Sequence, residues 1–84
     1  MQLRYTRHQV PRGTRADAES FDKLALVKNV SMLRATYQIR LLAFRAHEER
    51  KKLVLFVPRH CEIHPALREL TRTLGNTIHI ERVA

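Results

Sequence analysis

Leu53-Val54-Leu55-Phe56-Val57-Pro58 is followed by Pro65, Ala66, Leu67, Leu70, Leu74 and Gly75, and then by Ile78-His79-Ile80-Glu81. Reading this stretch decides the fold. A short unbroken apolar run is what a strand buried on both faces requires, and Pro58 ends it because proline has no N–H for a central ladder. Pro65 suits the first position of a helix. The leucines then follow helical spacing, and Gly75 supplies a left-handed stop. Ile78 and Ile80 alternate with His79 and Glu81, giving a second strand. Strands at about 53–57 and 77–82 joined by a helix at 65–74 make a βαβ unit with parallel strands.

Upstream, Met32, Ala35, Ile39, Leu42 and Ala46 recur at helical spacing. A second stripe, Leu33, Tyr37, Leu41 and Phe44, lies beside them. The spacing predicts one long helix over about 31–50, started by Asn29 or Ser31 and ended by the acids-then-bases run His47 to Lys52. A strand over 33–41 competes, since apolar and polar residues alternate there, but that alternation fails at Leu42-Ala43-Phe44. Residues 18–28 carry two readings. Ala18, Phe21 and Ala25 extend the heptad backwards, whereas Leu24-Ala25-Leu26-Val27 is also a compact strand before a turn at Lys28-Asn29. The expected class is α/β (or α+β): one small domain over residues 16–84, with the long helix packed on a small sheet. No internal repeat is evident in the residues.

Length and charge bound the rest. The chain has 84 residues and a net charge of +8, room for one small domain with a thin stability margin. A single cysteine excludes an internal disulfide. No apolar run approaches a membrane span, and the basic N-terminus has no apolar stretch behind it, so the cytoplasm is the expected compartment and no membrane the expectation. Arg4, Arg7, Arg12 and Arg15 lie in the first fifteen residues, which hold no acid and supply half of the net charge. Residues 1–15 therefore read as a basic arm, flexible or an edge strand through the alternating Leu3 and Tyr5.

Such arms follow nucleic-acid backbones, because each neutralised phosphate releases counterions. On a helix spanning 31–52, Arg34, Gln38, Arg45 and Lys52 share one side, and Arg68 and Arg72 share a face of the next helix. Arg4, Arg7, Arg12, Arg15, Arg34, Arg45, Lys52, Arg68 and Arg72 are thus the candidate contacts to a DNA or RNA backbone. The alternative is a protein-interaction or homodimeric scaffold: a helix apolar on two stripes leaves one for a second copy, and the arm would meet an acidic protein. A helix-turn-helix around Lys28–Ser31 is disfavoured by Gln38, which stands where an apolar packing residue belongs.

The loop Arg59-His60-Cys61-Glu62-Ile63-His64 is the most chemically loaded segment. Cys61 and His64 have half of a zinc spacing, with His60, Glu62, His47 and His79 as further possible ligands, but a strong zinc signature has two such pairs. His60-Cys61 followed by Arg68 departs from the cysteine-phosphatase loop by one residue too many and by the missing glycines. No catalytic constellation, cofactor or metal is therefore expected, with Cys61 and His64 the leading metal candidates.

Overall fold

The structure, a computed structural model, describes residues 16–83. The elements are β1 (Ala18–Glu19), β2 (Lys23–Val27), β3 (Met32–Leu33), α1 (Tyr37–Glu49), β4 (Lys52–Pro58), β5 (Glu62–Ile63), α2 (Pro65–Thr73) and β6 (Ile78–Val83), with a 3-10 turn at Gly75–Thr77 before β6. The main sheet runs β1-β2-β4-β6; β2, β4 and β6 are parallel and β1 is antiparallel to β2. The expected α/β class and the C-terminal βαβ unit are present. The ambiguous stretch resolves as the strand Lys23–Val27, which extends that unit to β-α-β-α-β.

The core lies on one side of the sheet. Leu24, Leu26, Leu53, Leu55, Val57 and Ile78 are buried together with Ile39, Leu42, Ala43 and Ala46 of α1 and Leu67 and Leu70 of α2. Their alternation with Lys23, Ala25, Val27, Lys52 and His79 follows from the two-residue period of a strand. Continuous apolar runs predict burial on both faces, yet only one face carries helices. The other presents Ala25, Val54 and Phe56 without a covering helix or strand among the described residues.

The long helix is shorter than its spacing predicts, beginning at Tyr37 rather than near residue 31. Met32 and Leu33 leave the helical path because they pair in parallel with Glu62 and Ile63 of the following loop. Thr36 then caps α1, its Oγ1 accepting the Ile39 N–H at 3.2 Å, which satisfies one of the orphan donors of the first turn. The competing strand over 33–41 does not form: only Leu33 of that range is strand, and residues 37–41 belong to α1. At the other end Arg50 adopts a left-handed conformation, φ 59°, and its N–H closes on Ala46 and His47.

The two halves repeat one plan. Lys23-Leu24-Ala25-Leu26-Val27 lies beside Lys52-Leu53-Val54-Leu55-Phe56 residue for residue. Each strand leads through a loop to a two-residue strand, a side-chain cap and a helix. The second cap is His64, whose Nδ1 accepts the Ala66 N–H at 3.0 Å.

Candidate nucleic-acid interface

Parallel strands joined by helices send every strand C-terminus and every helix N-terminus to the same edge of the sheet. In this chain that edge gathers Lys28 after β2, Arg34 after β3, Arg59 and His60 after β4, Arg40 and Arg68 in the first turns of α1 and α2, and Arg82 near the end of β6. All but the half-buried Lys28 are exposed. Tyr37, the first residue of α1, is 70 % exposed on the same edge.

Arg40 and Arg68 occupy equivalent places in the repeated plan, each the fourth residue of its helix. Each folds back over its helix start. Arg40 Nε donates to the Ala35 carbonyl at 3.0 Å and Arg68 Nε to the Ile63 carbonyl at 3.3 Å. Anchoring through Nε leaves the outer guanidinium nitrogens for an anion, beside backbone N–H groups whose dipoles favour negative charge. Arg82 has a different task. Its Nη1 donates to the carbonyls of Arg59 and Cys61, holding the loop after β4 against the end of β6. Asp17 accepts the Val27 N–H at 2.7 Å through Oδ2, which fixes the start of the described chain beside the end of β2. The described chain therefore begins at this edge. Val27, Lys28, Asn29, Phe56, Val57, Pro58, Arg59, His60 and Val83 enclose a cleft of about 510 Å³ where the edge meets the uncovered face.

At the opposite end part of the charge is paired, although Lys23, Arg50 and Lys52 make no ion pair within 4.0 Å among the described residues. Glu19 bonds to Arg45 and, at 3.0 Å, to Lys51, and Glu49 reaches both cations. The hydrogen bond from Lys51 holds the Glu19 carboxyl below its ordinary range; burial opposes it, and the charges of Arg45 and Lys51 add to the lowering. The same bond raises Lys51. Arg72 pairs with Glu69 one turn back on α2. At the cationic edge, by contrast, no ion pair within 4.0 Å involves Lys28, Arg34, Arg40, Arg59, Arg68 or Arg82 among the described residues.

The structure therefore redistributes the residues expected to bind. Arg34 and Arg68 sit on the cationic edge. Arg45 is tied to Glu19 and Glu49, Arg72 is paired with Glu69, and Lys52 lies at the start of β4, its Nζ 3.4 Å from the Asn76 carbonyl. The helix face Arg34–Gln38–Arg45–Lys52 does not form, because α1 starts after Arg34 and ends before Lys52. Arg4, Arg7, Arg12 and Arg15 lie outside the described residues. Lys28, Arg40 and Arg59 were missed by helical spacing; the strand–loop–helix order of the parallel unit was the signal that leads to them.

Cys61 is 2 % exposed within the core, its Sγ donating to the Glu62 carbonyl at 3.4 Å. A thiol so enclosed is a packing group. His64 spends Nδ1 on its cap, and no group of three His, Cys, Asp or Glu residues is placed to hold a metal ion among the described residues. No helix among them is long and apolar enough to cross a membrane. The chain matches no protein-family model, no curated protein and no solved structure.

Proposed function

We propose that this chain binds nucleic acid through its phosphate backbone, using Lys28, Arg34, Arg40, Arg59 and Arg68 as a fixed edge and Arg4, Arg7, Arg12 and Arg15 as an extension of it. The observation that carries this reading is the segregation of charge. Six cations gather at the strand C-termini with no carboxylate partner among the described residues. Of the six elsewhere, Arg45, Lys51 and Arg72 are neutralised by Glu19, Glu49 and Glu69, and Lys23, Arg50 and Lys52 stand away from the helix N-termini and from the edge. Ion-paired cations gain little from a phosphate, since they must first release a carboxylate. Unpaired ones release only water and counterions. The two helix N-termini on the same edge add partial positive charge.

The contacts available are to phosphate and carry no base sequence by themselves. The reading therefore implies sequence-tolerant binding with steep salt dependence. Fluorescence anisotropy with a labelled oligonucleotide, single- or double-stranded, tests it across a salt series. The expected result is binding at about 50 mM salt that weakens linearly on a log–log plot. No measurable binding of either form at that salt overturns it.

A further inference from the structure

The cleft at the cationic edge joins two kinds of surface. The strands contribute Val27, Phe56 and Val83 to it, and the loops that follow them contribute Lys28, Asn29, Arg59 and His60. Val27 is 61 % exposed and the Phe56 ring is half-buried. The backbone beneath the cations is held in place. The Lys28 N–H donates to the Phe56 carbonyl at 2.9 Å, and the Cys61 N–H closes the turn after β4 on the Pro58 carbonyl at 3.1 Å. Arg82 Nη1 holds the Arg59 carbonyl at 3.2 Å.

We infer that this cleft takes one unpaired nucleobase of a single-stranded nucleic acid, with Lys28 and Arg59 on the phosphates that flank it. The inference rests on the backbone-binding reading above and deepens it, because phosphate contacts alone leave the bases untouched.

Charge selects this occupant. An apolar hollow by itself suits any flat apolar group, but here cations without carboxylate partners border it. Asp17 and Glu81 lie beside the floor, and both are engaged. Asp17 Oδ2 accepts the Val27 N–H at 2.7 Å. Glu81, in register with Phe56, has Oε1 3.0 Å from His79 Nε2. A base within its strand has the matching order, an apolar disc with a negative charge on either side. A base stacks on an aromatic ring through its π-face, which every base possesses, so the site is tolerant of sequence. The Asn29 amide adds a donor and an acceptor for the base edge.

Size and access agree. At about 510 Å³ the cleft lies within the range of small-molecule sites, roughly 300–1,000 Å³. In a duplex the bases are stacked and paired, and bringing one out costs a few kcal/mol. A duplex therefore engages the edge through its phosphates alone, and the cleft is filled only by a single strand. Arg34, Arg40 and Arg68 are not among its lining residues, so filling it leaves them free for further phosphates.

An abasic strand separates this inference from the reading it rests on, since it keeps every phosphate and lacks the bases. The full chain is titrated into a labelled single DNA strand and into an abasic strand of equal length, with anisotropy as the readout. The natural strand is expected to bind more tightly by roughly 5- to 150-fold, the effect of stacking one base, at an equal salt slope. Phe56→Leu keeps an apolar floor but removes the aromatic face, and is expected to cut that ratio at least about threefold. Val27→Ser, at an exposed position, acts in the same direction. Circular dichroism reports the fold of both. Phe44→Ser, an aromatic 51 % exposed on α1, leaves the ratio unchanged. Unlabelled RNA of the same sequence, as competitor, tells which sugar carries the base in preference. Equal affinity for the natural and abasic strands overturns this inference and leaves the backbone reading standing. A preference that neither Phe56→Leu nor Val27→Ser reduces overturns the placement in the cleft. Polyglutamate that competes as well as the natural strand assigns the edge to an acidic protein, and no binding of any strand removes both readings.

Discussion

Replacing Arg40 and Arg68 together by glutamine removes two of the five fixed cations, Lys28, Arg34, Arg40, Arg59 and Arg68, and leaves the fold nearly untouched. Each side chain is exposed, and each forms one hydrogen bond to a backbone carbonyl, at 3.0 and 3.3 Å. Losing such a bond at a solvated site costs about 0.5–1 kcal/mol of stability at most. Five phosphate contacts give a log–log salt slope of about −4.5, hence a loss of roughly 500-fold in affinity between 50 and 200 mM salt. With three contacts the slope falls to about −2.7 and the loss to roughly 40-fold. Contacts from Arg4, Arg7, Arg12 and Arg15 steepen both lines equally, so the difference of about 1.8 in slope survives whatever the arm contributes. The assay is anisotropy with a labelled DNA duplex, read at four or more salt concentrations, with thermal unfolding as a control; on a single strand the same two contacts change the slope by about 1.4. Lys23→Gln with Lys52→Gln, at the opposite end of the strands, is the companion variant and leaves the slope unchanged. The reasoning is refuted if the Arg40/Arg68 variant binds more weakly at all salts but with the wild-type slope, or if the Lys23/Lys52 variant flattens the slope as much.

Other consequences follow from single positions. Arg50 ends α1 in a left-handed conformation that a side chain disfavours, φ 59°; Arg50→Gly relieves about 1 kcal/mol and raises the midpoint of thermal unfolding by about 4–8 °C. Thr36→Ala removes the cap of α1 and costs about 1 kcal/mol in denaturant unfolding. Leu53→Ala opens a cavity under the central strand, where Leu53 is fully buried, at a cost of about 2–5 kcal/mol, a large share of a small domain's stability. Because Glu19 is held below its ordinary value of 4.5 in the fold, its contribution is present above that pH and is lost as pH falls through the lowered folded value. Denaturation of wild type and Glu19→Gln is therefore expected to differ slightly at neutral pH and to converge in acid. A gap that persists at pH about 2 contradicts the ion-pair account.

The C-terminal unit was legible because its punctuation is local: Pro58, Pro65 and Gly75 mark boundaries by their own backbone restrictions. Residues 32–36 were not, because Met32 and Leu33 are strand only by pairing with Glu62 and Ile63, thirty positions away. Spacing along the chain cannot report a ladder whose other half lies in a different loop. The strand at Lys23–Val27 did have a signal in the residues, its near identity with Lys52–Phe56, but five residues are too few to announce a repeat until the two are seen side by side. The cationic edge was half legible. Arg34 and Arg68 were singled out for the wrong geometric reason, a shared helix face. The grouping with Lys28, Arg40 and Arg59 depends on which ends of strands and helices coincide, a property of topology rather than of periodicity.

The position of β4 has a consequence for how the chain acquires its shape. It is the only strand that touches both other parallel strands, and Leu53, Leu55 and Val57 supply the middle of the core. Before it is synthesised, β2 has, among the described residues, only the two-residue β1 to pair with, and α1 has no wider sheet on which to lie. Residues 16–51 therefore leave the ribosome without a partner among the described residues that could hold them. Folding waits for the second half and then takes in the whole domain at once, since each crossover must close a loop before any ladder forms. A chain stopped ahead of Lys52 is expected to remain unfolded, and the lag between synthesis and structure is set by one central strand.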